Sequence, residues 1–468
     1  MAIEKLEVTA AIEATRRRRE FLGHPVGLSV IAFTEAFERF SYYGMQTLLV
    51  LYMVKALLLP GHVENIAGFG LFTDALSWIY GTPPTTQALA SHIFGTYTAL
   101  VYFTPIFGGL IADYWLGKTR TVTLGALLMA AGHFLMAFDT SFLLALLLLV
   151  LGVGCLKGNL ASQVSALYQP GDGRATDAYQ LYYIGISAGA FFAPLVCGYL
   201  GEEVDWHWGF GAAGVGMVIG LVIYLSGRHH LPPEPRTIRA ASAEPPPAMT
   251  RREWQVLILL GLMIPVLAVS ALGNQQMFNA YLVWADRTYE FMLLGYRMPT
   301  SFLVSFDAAT GVLTLASAVA FWRWYAGRWR EPDDITKLII GCLISSSAFV
   351  LVTIVASDHA ASGARPSLWV ALLVNLLNNF GFANVFPVSL ALYSRAAPSA
   401  VAGTVIGIYY LFLFLANLLV GLVGGWLDIM PAGQFWGIHV AAILGAAAIF
   451  LCVKLAFGRL LLPQPVTL

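Results

Sequence analysis

Long apolar segments recur along the whole chain and are separated by short polar connections. A helix needs roughly 20 mostly apolar residues to cross the hydrocarbon core of a bilayer, so each of these segments is long enough for one crossing. Twelve such spans are predicted, near residues 27–55, 88–113, 119–138, 140–163, 176–200, 208–227, 255–284, 299–325, 336–357, 367–394, 399–427 and 434–457. The pattern therefore predicts an all-α integral membrane protein.

The strongest break in this pattern is the segment RHHLPPEPRTIRAASAEPPPAMTRREW, which is rich in proline and basic residues and has no apolar face. It leaves six predicted spans on each side, a layout typical of transporters built from two related halves around a central site. The predicted parts are an N-terminal segment 1–26, an N-terminal six-helix bundle 27–227, a linker 228–254, a C-terminal six-helix bundle 255–457 and a tail 458–468.

Composition and charge placement support the membrane prediction. Charged residues make up 11% of the chain, whereas soluble domains carry about 25%. Lys and Arg accumulate on the cytoplasmic side of membrane proteins. If the N-terminus is cytoplasmic, only four of the 26 Lys and Arg residues lie in outer connections, namely Lys55, Arg287, Arg297 and Arg365. We therefore predict a multi-pass protein of the cell (inner) membrane whose termini, linker and tail are cytoplasmic.

The chain shows no pattern typical of processing or of enzyme chemistry. Four arginines, residues 16–19, precede the first span and no small-residue cleavage site follows, which predicts a retained anchor. There is no HExxH, GxSxG or CxxC pattern, so we expect no enzyme activity, no metal site and no cofactor. The cysteines all lie in predicted spans, where we expect them to be buried and unpaired. They are Cys155, Cys197, Cys342 and Cys452.

Five ionisable residues lie well inside predicted spans, three in the first span and one each in the fourth and eighth. They are Glu35, Glu38, Arg39, Lys157 and Asp307. An ionisable group at membrane depth costs roughly 2.5–3.5 kcal/mol on insertion scales and indicates a functional site by default. His92 and His133, which also lie in spans, are expected to be hydrogen-bonded structural residues.

Helical spacing predicts how these charges pair. Glu35 and Arg39 are four residues apart and can pair along one helix face, whereas Glu38 points about 100 degrees away from its neighbours. Lys157 is therefore the predicted partner of Glu38. Protonation of a carboxylate removes one member of a buried pair, which gives a physical basis for coupling proton binding to a helix rearrangement. A purely structural Glu35–Arg39 pair is the alternative.

Several longer strings carry a family resemblance. They are EAFERFSYYGM in the first span, YTALVYFTPIFGGLIADYWLGKTR through the second span and its loop, GCLKGN in the fourth and DAYQLYYIGISAGAFFAPLVCGYL in the fifth. Together they resemble the proton-dependent oligopeptide transporter family. The resemblance implies a major facilitator fold with twelve transmembrane helices in two six-helix bundles. Gly109, Asp113, Gly117 and Lys118 then belong to a cytoplasmic loop that changes partners when the bundles rock.

The resemblance also implies roles for individual residues. Glu35, Glu38 and Arg39 match the ExxER motif, which takes part in proton coupling and contacts the carboxylate end of the substrate. Lys157 matches the lysine that pairs with this motif, and Asp307 is expected to be a second proton or amine site. The tyrosines that match cavity-lining positions of the family are Tyr42, Tyr43 and Tyr97.

The chain departs from the family pattern at five positions. Gln46 and Gln275 stand where the family has Arg and Glu at the outer gate, so we expect an amide contact in place of a salt bridge. Phe382 replaces the tenth-span carboxylate that holds the amino end of a peptide. Ser187 and Tyr409 replace a fifth-span asparagine and an eleventh-span tryptophan. We expect Ser187, Phe382 and Tyr409 to contact the substrate.

These expectations combine into one function. We expect a monomeric proton-coupled symporter for di- and tripeptides that works by alternating access, with Arg39 and Lys157 on the peptide carboxylate and Asp307 on its amine. The expected partners are the peptide, protons as the coupling ion and the lipid bilayer, and no nucleic acid. Because a carboxylate is missing at Phe382, uptake of another small anion such as nitrate or a carboxylate is one alternative. A ligand-sensing pseudo-transporter is another.

Overall fold

The computed structural model describes residues 20–169, 172–232, 249–293, 295–398 and 401–461. In these residues a helix occupies each of the twelve predicted spans, and we call these the first to twelfth membrane helices. Those of the first half are Val26–Tyr52, Thr86–Phe103, Lys118–Leu135, Phe142–Ala166, Arg174–Ala193 and Trp206–Gly227. Those of the second half are Arg251–Gln276, Phe302–Ala326, Asp334–Ser362, Leu368–Ala396, Ala402–Tyr409 with Leu411–Gly424, and Ala432–Phe457. The predicted fold class is confirmed.

Ten helical segments of the described residues are long and apolar enough to cross a membrane by length and composition alone. The two membrane helices outside this set are the first, which carries Glu35, Glu38 and Arg39, and the third, which begins at Lys118. The first packs against the fifth and sixth membrane helices, and the third packs against the fourth and sixth. Both exceptions are therefore integral parts of the N-terminal bundle.

Several membrane helices contain breaks or wide turns. The second continues after its break as Pro105–Ile111, and the fifth continues through π-helical turns at Pro194–Gly198 and Leu200–Val204. Pro105 and Pro194 each open one of these segments. Proline has no backbone N–H to donate, so each of them weakens the helix at its position. The seventh breaks after Gln276 and resumes as Ala280–Thr288. The breaks in the fifth and seventh lie beside the other half, since a Cβ on Gly198 would meet Ser301 and Asn279 hydrogen-bonds Ser91.

Among the described residues, one α-helix and two hairpins lie outside the predicted spans. The twelve-residue helix Phe69–Tyr80 lies between the first and second membrane helices. One hairpin pairs Glu20–Phe21 with His24–Pro25, and the other pairs Met292–Leu293 with Tyr296–Arg297. A twelve-residue helix is too short to cross a bilayer, so a search for membrane spans passes over it.

The structure places the start of the seventh membrane helix at Arg251, inside the predicted linker 228–254. The Thr250 hydroxyl accepts a hydrogen bond from the Glu253 backbone N–H, and the Glu253 carboxylate accepts one from the Thr250 backbone N–H. This capping box fixes where the helix begins. Parts of the predicted terminal segments and linker lie outside the described residues, namely 1–19, 233–248 and 462–468.

The two bundles meet at one end of the molecule, which we call the outer end. It is the end at which the first membrane helix finishes, at Tyr52, and the charge pattern predicts that it is extracytoplasmic. The second and eleventh membrane helices touch there through glycine, because a Cβ on Gly95 would lie 2.4 Å from the Cα of Gly421. Small residues allow backbones in membranes to approach this closely, so the outer end is tightly closed.

The four cysteines are free, as expected, but they differ in exposure. Cys155, Cys197 and Cys342 are buried, whereas Cys452 is exposed. The expectation that all four are buried is therefore wrong for Cys452. It lies on the twelfth membrane helix, which packs against the seventh and ninth through its other face.

Candidate functional site

Arg39 lies between two glutamates of the first membrane helix. Its Nε atom is 3.0 Å from Glu35 Oε1 and 2.5 Å from Glu38 Oε2. All three side chains are at most 6% exposed. The predicted Glu35–Arg39 pair is confirmed. When all three groups are ionised, this cluster carries one more negative than positive charge.

The prediction that Glu38 pairs with Lys157 is wrong in this structure. The Arg39 side chain bends back so that Nε reaches Glu38, although adjacent helical residues point about 100 degrees apart. Lys157 Nζ instead lies 4.4 Å from the centre of the Tyr102 ring, in a cation–π contact. The ion pairs within the described residues do not include Lys157. It still lies close enough to both glutamates to interact with them electrostatically.

Several atoms of this cluster are buried without a hydrogen-bond partner. They are Glu35 Oε2, both carboxylate oxygens of Glu38, and Nε and Nη2 of Arg39. The ion pairs bring opposite charges together, but their atoms are not aligned as hydrogen bonds. An unsatisfied buried polar group costs roughly 1–3 kcal/mol, and more if it is charged. A proton or a carboxylate-bearing ligand can satisfy these atoms.

Close packing of the fifth membrane helix holds the cluster in place. A Cβ on Gly189 would lie 2.8 Å from the Cβ of Arg39 and 2.3 Å from the backbone oxygen of Ala36. Only a glycine allows this approach of the two backbones. The same contact places Tyr182 beside Glu35. The first and fifth membrane helices therefore present their polar residues to each other over a short distance.

The predicted tyrosines surround the cluster. Tyr42 and Tyr97 are each 3% exposed, and neither hydroxyl has a hydrogen-bond partner. Tyr43 packs edge-on against Tyr42, with ring centres 5.3 Å apart. It also lies close enough to both Arg39 and Asp307 for electrostatic interaction. Tyr43 therefore lies near both the charged cluster of the N-terminal bundle and the carboxylate of the C-terminal bundle.

Asp307 lies on the eighth membrane helix, where one amide of the tenth contacts it. The Asn379 Nδ2 atom donates to Asp307 Oδ1 at 2.9 Å and lies 2.9 Å from the Thr310 hydroxyl oxygen. An amide donor stabilises a carboxylate but leaves its negative charge in place. The ion pairs of the described residues do not include Asp307, so its carboxylate is able to bind a cation.

Sequence reasoning missed two aromatic residues at the site. Tyr102 lies beneath Lys157, and Tyr182 lies beside Glu35. Both belong to strings that carry the family resemblance, YTALVYF and DAYQLYY. Their hydroxyls in otherwise apolar spans were the available signal. Spacing alone does not say which side of a span faces the charged cluster.

Three predicted substrate contacts have different surroundings. Phe382 stacks on Phe386, with ring centres 5.7 Å apart and an interplanar angle of 13°. Ser187 donates to the Tyr183 backbone oxygen at 3.0 Å, so its hydroxyl is satisfied within its own helix. Tyr409 is 0% exposed and donates to the Phe386 backbone oxygen at 3.0 Å. The expected contacts of Ser187, Phe382 and Tyr409 with the substrate stay predictions.

The predicted amide contact between Gln46 and Gln275 is also wrong. Gln46 Oε1 is buried and has no hydrogen-bond partner. Gln275 donates to Asn274 at 3.2 Å and accepts from Asn417 at 3.4 Å, and both partners belong to its own half. These two glutamines therefore do not join the bundles.

Other polar residues join the bundles at the outer end. Lys55 Nζ of the first half lies 2.7 Å from Asp286 Oδ1 of the second half. Ser91 and Asn279 exchange hydrogen bonds of 3.1 and 3.2 Å in the protein interior. Asn279 is available for this contact because the seventh membrane helix is broken beside it. The outer end is thus joined by both an ion pair and hydrogen bonds between neutral side chains.

The two histidines differ from expectation. His133 is buried and neither ring nitrogen has a hydrogen-bond partner, so the expected hydrogen bonding is wrong. His92 stacks on Tyr80, with ring centres 4.5 Å apart and an interplanar angle of 14°, and its Nδ1 has no partner. In the part of the chain that the structure describes, no three His, Cys, Asp or Glu side chains are arranged to hold a metal ion.

Three glycines in and beside the predicted cytoplasmic loop have different surroundings. Gly117 has φ of +76°, a backbone conformation that favours glycine, immediately before the third membrane helix. Gly109 faces open space, whereas a Cβ on Gly108 would lie 1.9 Å from the Gly154 backbone oxygen. Gly108 is therefore the packing residue of this pair. Asp113 is exposed, and the predicted role of the loop in bundle rocking stays a prediction.

Comparisons with known proteins cover most of the chain. A model of the POT family matches residues 119–244 and 248–432. The peptide transporter YePEPT of Yersinia enterocolitica is 28% identical over an alignment of 510 residues, and this alignment covers 93% of this chain and 95% of the relative. A di-/tripeptide transporter of Lactococcus lactis is 27% identical over 461 residues, which cover 85% of this chain and 88% of the relative.

Solved structures share the fold over nearly the whole length. The crystal structure of a peptide transporter POT in complex with sulfate has a TM-score of 0.79 and 25% identity, and the match covers 94% of this chain and 97% of that one. A mutant of a peptide transporter POT in complex with alafosfalin also has a TM-score of 0.79 and 25% identity, with 96% and 99% covered. The chain is therefore a multi-pass membrane protein that belongs to the POT family, the proton-dependent oligopeptide transporters.

Proposed function

We propose that this chain is a proton-coupled symporter of di- and tripeptides that works by alternating access. The observation that carries the proposal is the position of Arg39, buried between Glu35 and Glu38 with its Nη2 atom lacking a partner. A cation held by two titratable carboxylates in a membrane helix can exchange them for a proton and a substrate carboxylate. The peptide transporters named above support the choice of substrate.

Proton binding and peptide binding are linked through Arg39. Protonation of Glu35 or Glu38 removes one of the two negative charges beside the guanidinium. Arg39 then binds the peptide carboxylate, and Lys157, which pairs with neither glutamate, adds a second positive charge. Loss of the proton on the other side restores the ion pairs, which compete with the peptide for Arg39. The peptide therefore leaves where the proton leaves.

Asp307 holds the amino end of the peptide in this proposal. The family carboxylate of the tenth span is replaced by Phe382, which is stacked on another phenylalanine and offers no charge. Asp307 lies one helix away, held by Asn379 and without a cationic partner in the described residues. A zwitterionic peptide then meets cations at one end and a carboxylate at the other.

Phe382 also favours a second candidate function. A site that keeps Arg39 and Lys157 but lacks the tenth-span carboxylate suits a small anion without an amine, such as nitrate or a carboxylate. The two functions differ in one respect, which is whether a free amine on the substrate improves binding. Asp307 is the residue that decides between them.

The remaining parts of the proposal concern setting and partners. We place the protein in the cell (inner) membrane with both termini cytoplasmic, because Lys and Arg are concentrated in the inner connections. It acts as a monomer on peptides, with protons as the coupling ion and no other cofactor. Its activity is transport and involves no catalytic residue.

The test is uptake by purified protein in liposomes. Labelled dialanine is offered with and without an inward proton gradient and a negative-inside potential, and Arg39→Gln serves as a control in the same lipid. We expect accumulation that requires the gradient, is competed by other dipeptides and is lost in Arg39→Gln. Absence of uptake by folded protein contradicts peptide symport, and the same vesicles are then tested with nitrate and small carboxylates.

A further inference from the structure

Glu202 joins the two bundles at the outer end. Its carboxylate accepts hydrogen bonds from the backbone N–H of Thr300 at 3.0 Å and of Ser301 at 2.7 Å. Glu202 lies in the last turn of the fifth membrane helix, within Leu200–Val204. Thr300 and Ser301 immediately precede the eighth membrane helix. A carboxylate of the first half therefore caps a helix of the second half.

The eighth membrane helix has no cap of its own. The first N–H groups of a helix lack partners within the helix, and a side chain at its start usually accepts from them. Ser301 occupies that position, but it makes no side-chain cap hydrogen bond and its hydroxyl has no partner. The N–H groups of Phe302, Leu303 and Val304 already donate to the backbone oxygens of residues 299–301. The N–H groups of this opening turn that remain are those of Thr300 and Ser301, and Glu202 of the other bundle accepts from both. A negative charge at a helix N-terminus is also favoured by the helix dipole.

Local packing brings Glu202 to this position. The fifth membrane helix ends in two π-helical turns, Pro194–Gly198 and Leu200–Val204, which widen it on either side of Tyr199. In the first of these turns, a Cβ on Gly198 would lie 2.1 Å from the Ser301 hydroxyl oxygen. One turn into the eighth membrane helix, the Ser305 hydroxyl donates to the Phe191 backbone oxygen at 2.8 Å. The fifth and eighth membrane helices are thus in direct contact around the Glu202 hydrogen bonds.

The charged neighbours of Glu202 reinforce the same closure. Lys55, in the turn Met53–Leu57 that follows the first membrane helix, lies near it and pairs with Asp286 of the seventh. The Thr300 hydroxyl donates to Asp286 Oδ1 at 2.7 Å. Glu203, the next residue of the same turn, is exposed, and among the described residues no hydrogen bond or ion pair joins it to the other half. The two adjacent glutamates therefore form a matched pair, of which only Glu202 bridges the halves.

We propose that Glu202 is the latch of the outer gate: it stabilises the closed outer end, and its release from Thr300 and Ser301 is required each time the transporter opens outward. This role deepens the proposed symport and rests on it for its consequence in transport. Glu202 is a positioning residue, since it lies away from Arg39 and acts only on the balance between outward-closed and outward-open states. Its removal is expected to favour the outward-open state.

A distance measurement without substrate tests the latch. Spin labels are attached at Ala67→Cys in the first half and Ala361→Cys in the second, both exposed residues near the outer end, in a Cys452→Ser background. We expect Glu202→Ala to raise the outward-open population about tenfold, within the range of known conformational couplings. Glu202→Gln, which keeps one acceptor, gives a smaller shift, and Glu203→Gln gives none. Equal distance distributions in Glu202→Ala and Glu203→Gln overturn the proposal.

Transport kinetics give a second and independent readout. If more of the protein faces outward, the apparent KM for external dialanine falls, because a larger fraction is competent to bind. The maximal rate falls as well, because the return to the closed outer end is less favourable. A folding defect lowers the rate without lowering KM, so an unchanged or raised KM in Glu202→Ala contradicts the latch. If the unmodified protein does not transport dialanine, the proposed function fails while the distance measurement still decides the latch.

Discussion

Asn379 donates a hydrogen bond of 2.9 Å to the carboxylate of Asp307 and thereby joins the tenth membrane helix to the eighth. The same nitrogen lies 3.1 Å from the Asp307 backbone oxygen and 2.9 Å from the Thr310 hydroxyl oxygen. The amide holds the carboxylate in one orientation without neutralising it. Asp307 is therefore prepared to meet a positively charged group at the interface between the bundles.

Replacing Asp307 is expected to remove the preference for substrates with a free amine. In Asp307→Asn, the KM for dialanine rises by about tenfold or more, as for loss of one partner of a buried charge pair. Competition by dialanine and by its N-acetylated form is the measurement, and the variant no longer discriminates between them. Asn379→Ala keeps the charge and serves as the control with a smaller effect. Discrimination retained in Asp307→Asn would assign the amine to another residue.

Neutralising the glutamates beside Arg39 is expected to separate transport from the proton gradient. Glu35→Gln and Glu38→Gln each remove one negative charge that a proton otherwise neutralises, so accumulation against a gradient is lost. Exchange of dialanine between the two sides of the vesicle remains, because it needs no net proton movement. The exposed Glu203→Gln is the control and retains both activities. Gradient-driven accumulation in both variants would exclude this pair as the coupling site.

The sequence predicted the membrane helices chiefly because ten of the twelve are long and apolar by themselves, which is a local property. It also predicted the Glu35–Arg39 pair, because a spacing of four residues brings two side chains together on any helix. It did not predict that Arg39 also reaches Glu38. Spacing gives the direction of each Cα–Cβ bond, whereas the bend of a long side chain depends on what surrounds it.

Contacts between the bundles were not predictable in the same way. Glu202 and Thr300 are 98 residues apart, and no local pattern identifies a carboxylate that caps a distant helix. The expected contact of Gln46 with Gln275 failed for a related reason, since two matching substitutions do not fix the distance between their helices. The helix Phe69–Tyr80 was missed because it is too short for a span.

The contact between Gly95 and Gly421 predicts a second way to open the outer end. A Cβ at position 95 would lie 2.4 Å from the Gly421 Cα, so Gly95→Ala forces the second and eleventh membrane helices apart. Overpacking of this kind costs roughly 1–3 kcal/mol, which equals a shift of about 5- to 150-fold toward the outward-open state. The spin-label pair at Ala67 and Ala361 measures the shift.

Gly437→Ala is the control for this substitution, because nothing lies within 4 Å of the Cβ it would add on the twelfth membrane helix. We expect its distance distribution to match that of the unmodified protein. If Gly95→Ala also leaves the distribution unchanged, the closed outer end does not depend on the contact between these two glycines.

Asp333 caps the ninth membrane helix at the predicted cytoplasmic end. Its carboxylate accepts a hydrogen bond from the Thr336 backbone N–H at 2.9 Å and lies 2.8 Å from Lys454 Nζ of the twelfth membrane helix. Partial burial raises the pKa of Asp333, but the hydrogen bonds from Lys454 and Thr336 outweigh it and hold the pKa below its ordinary value of 3.8. The ionised form is therefore the one that stabilises the fold.

A carboxyl with a lowered pKa contributes stability that is present above its unfolded-state value and is lost as the pH falls through its folded-state value. Asp333→Ala is expected to reduce the free energy of unfolding by about 1 kcal/mol at pH 7, the usual cost of losing a helix cap. Asp333→Asn keeps a capping oxygen but not the pairing with Lys454, so its effect is smaller, since a half-exposed ion pair contributes about 0–1 kcal/mol. Thermal unfolding in detergent between pH 7 and pH 3 measures both. The difference in the free energy of unfolding between Asp333→Asn and the unmodified protein should disappear as the pH falls below about 4. A difference that stays constant over this range would show that the charge of Asp333 does not contribute to stability.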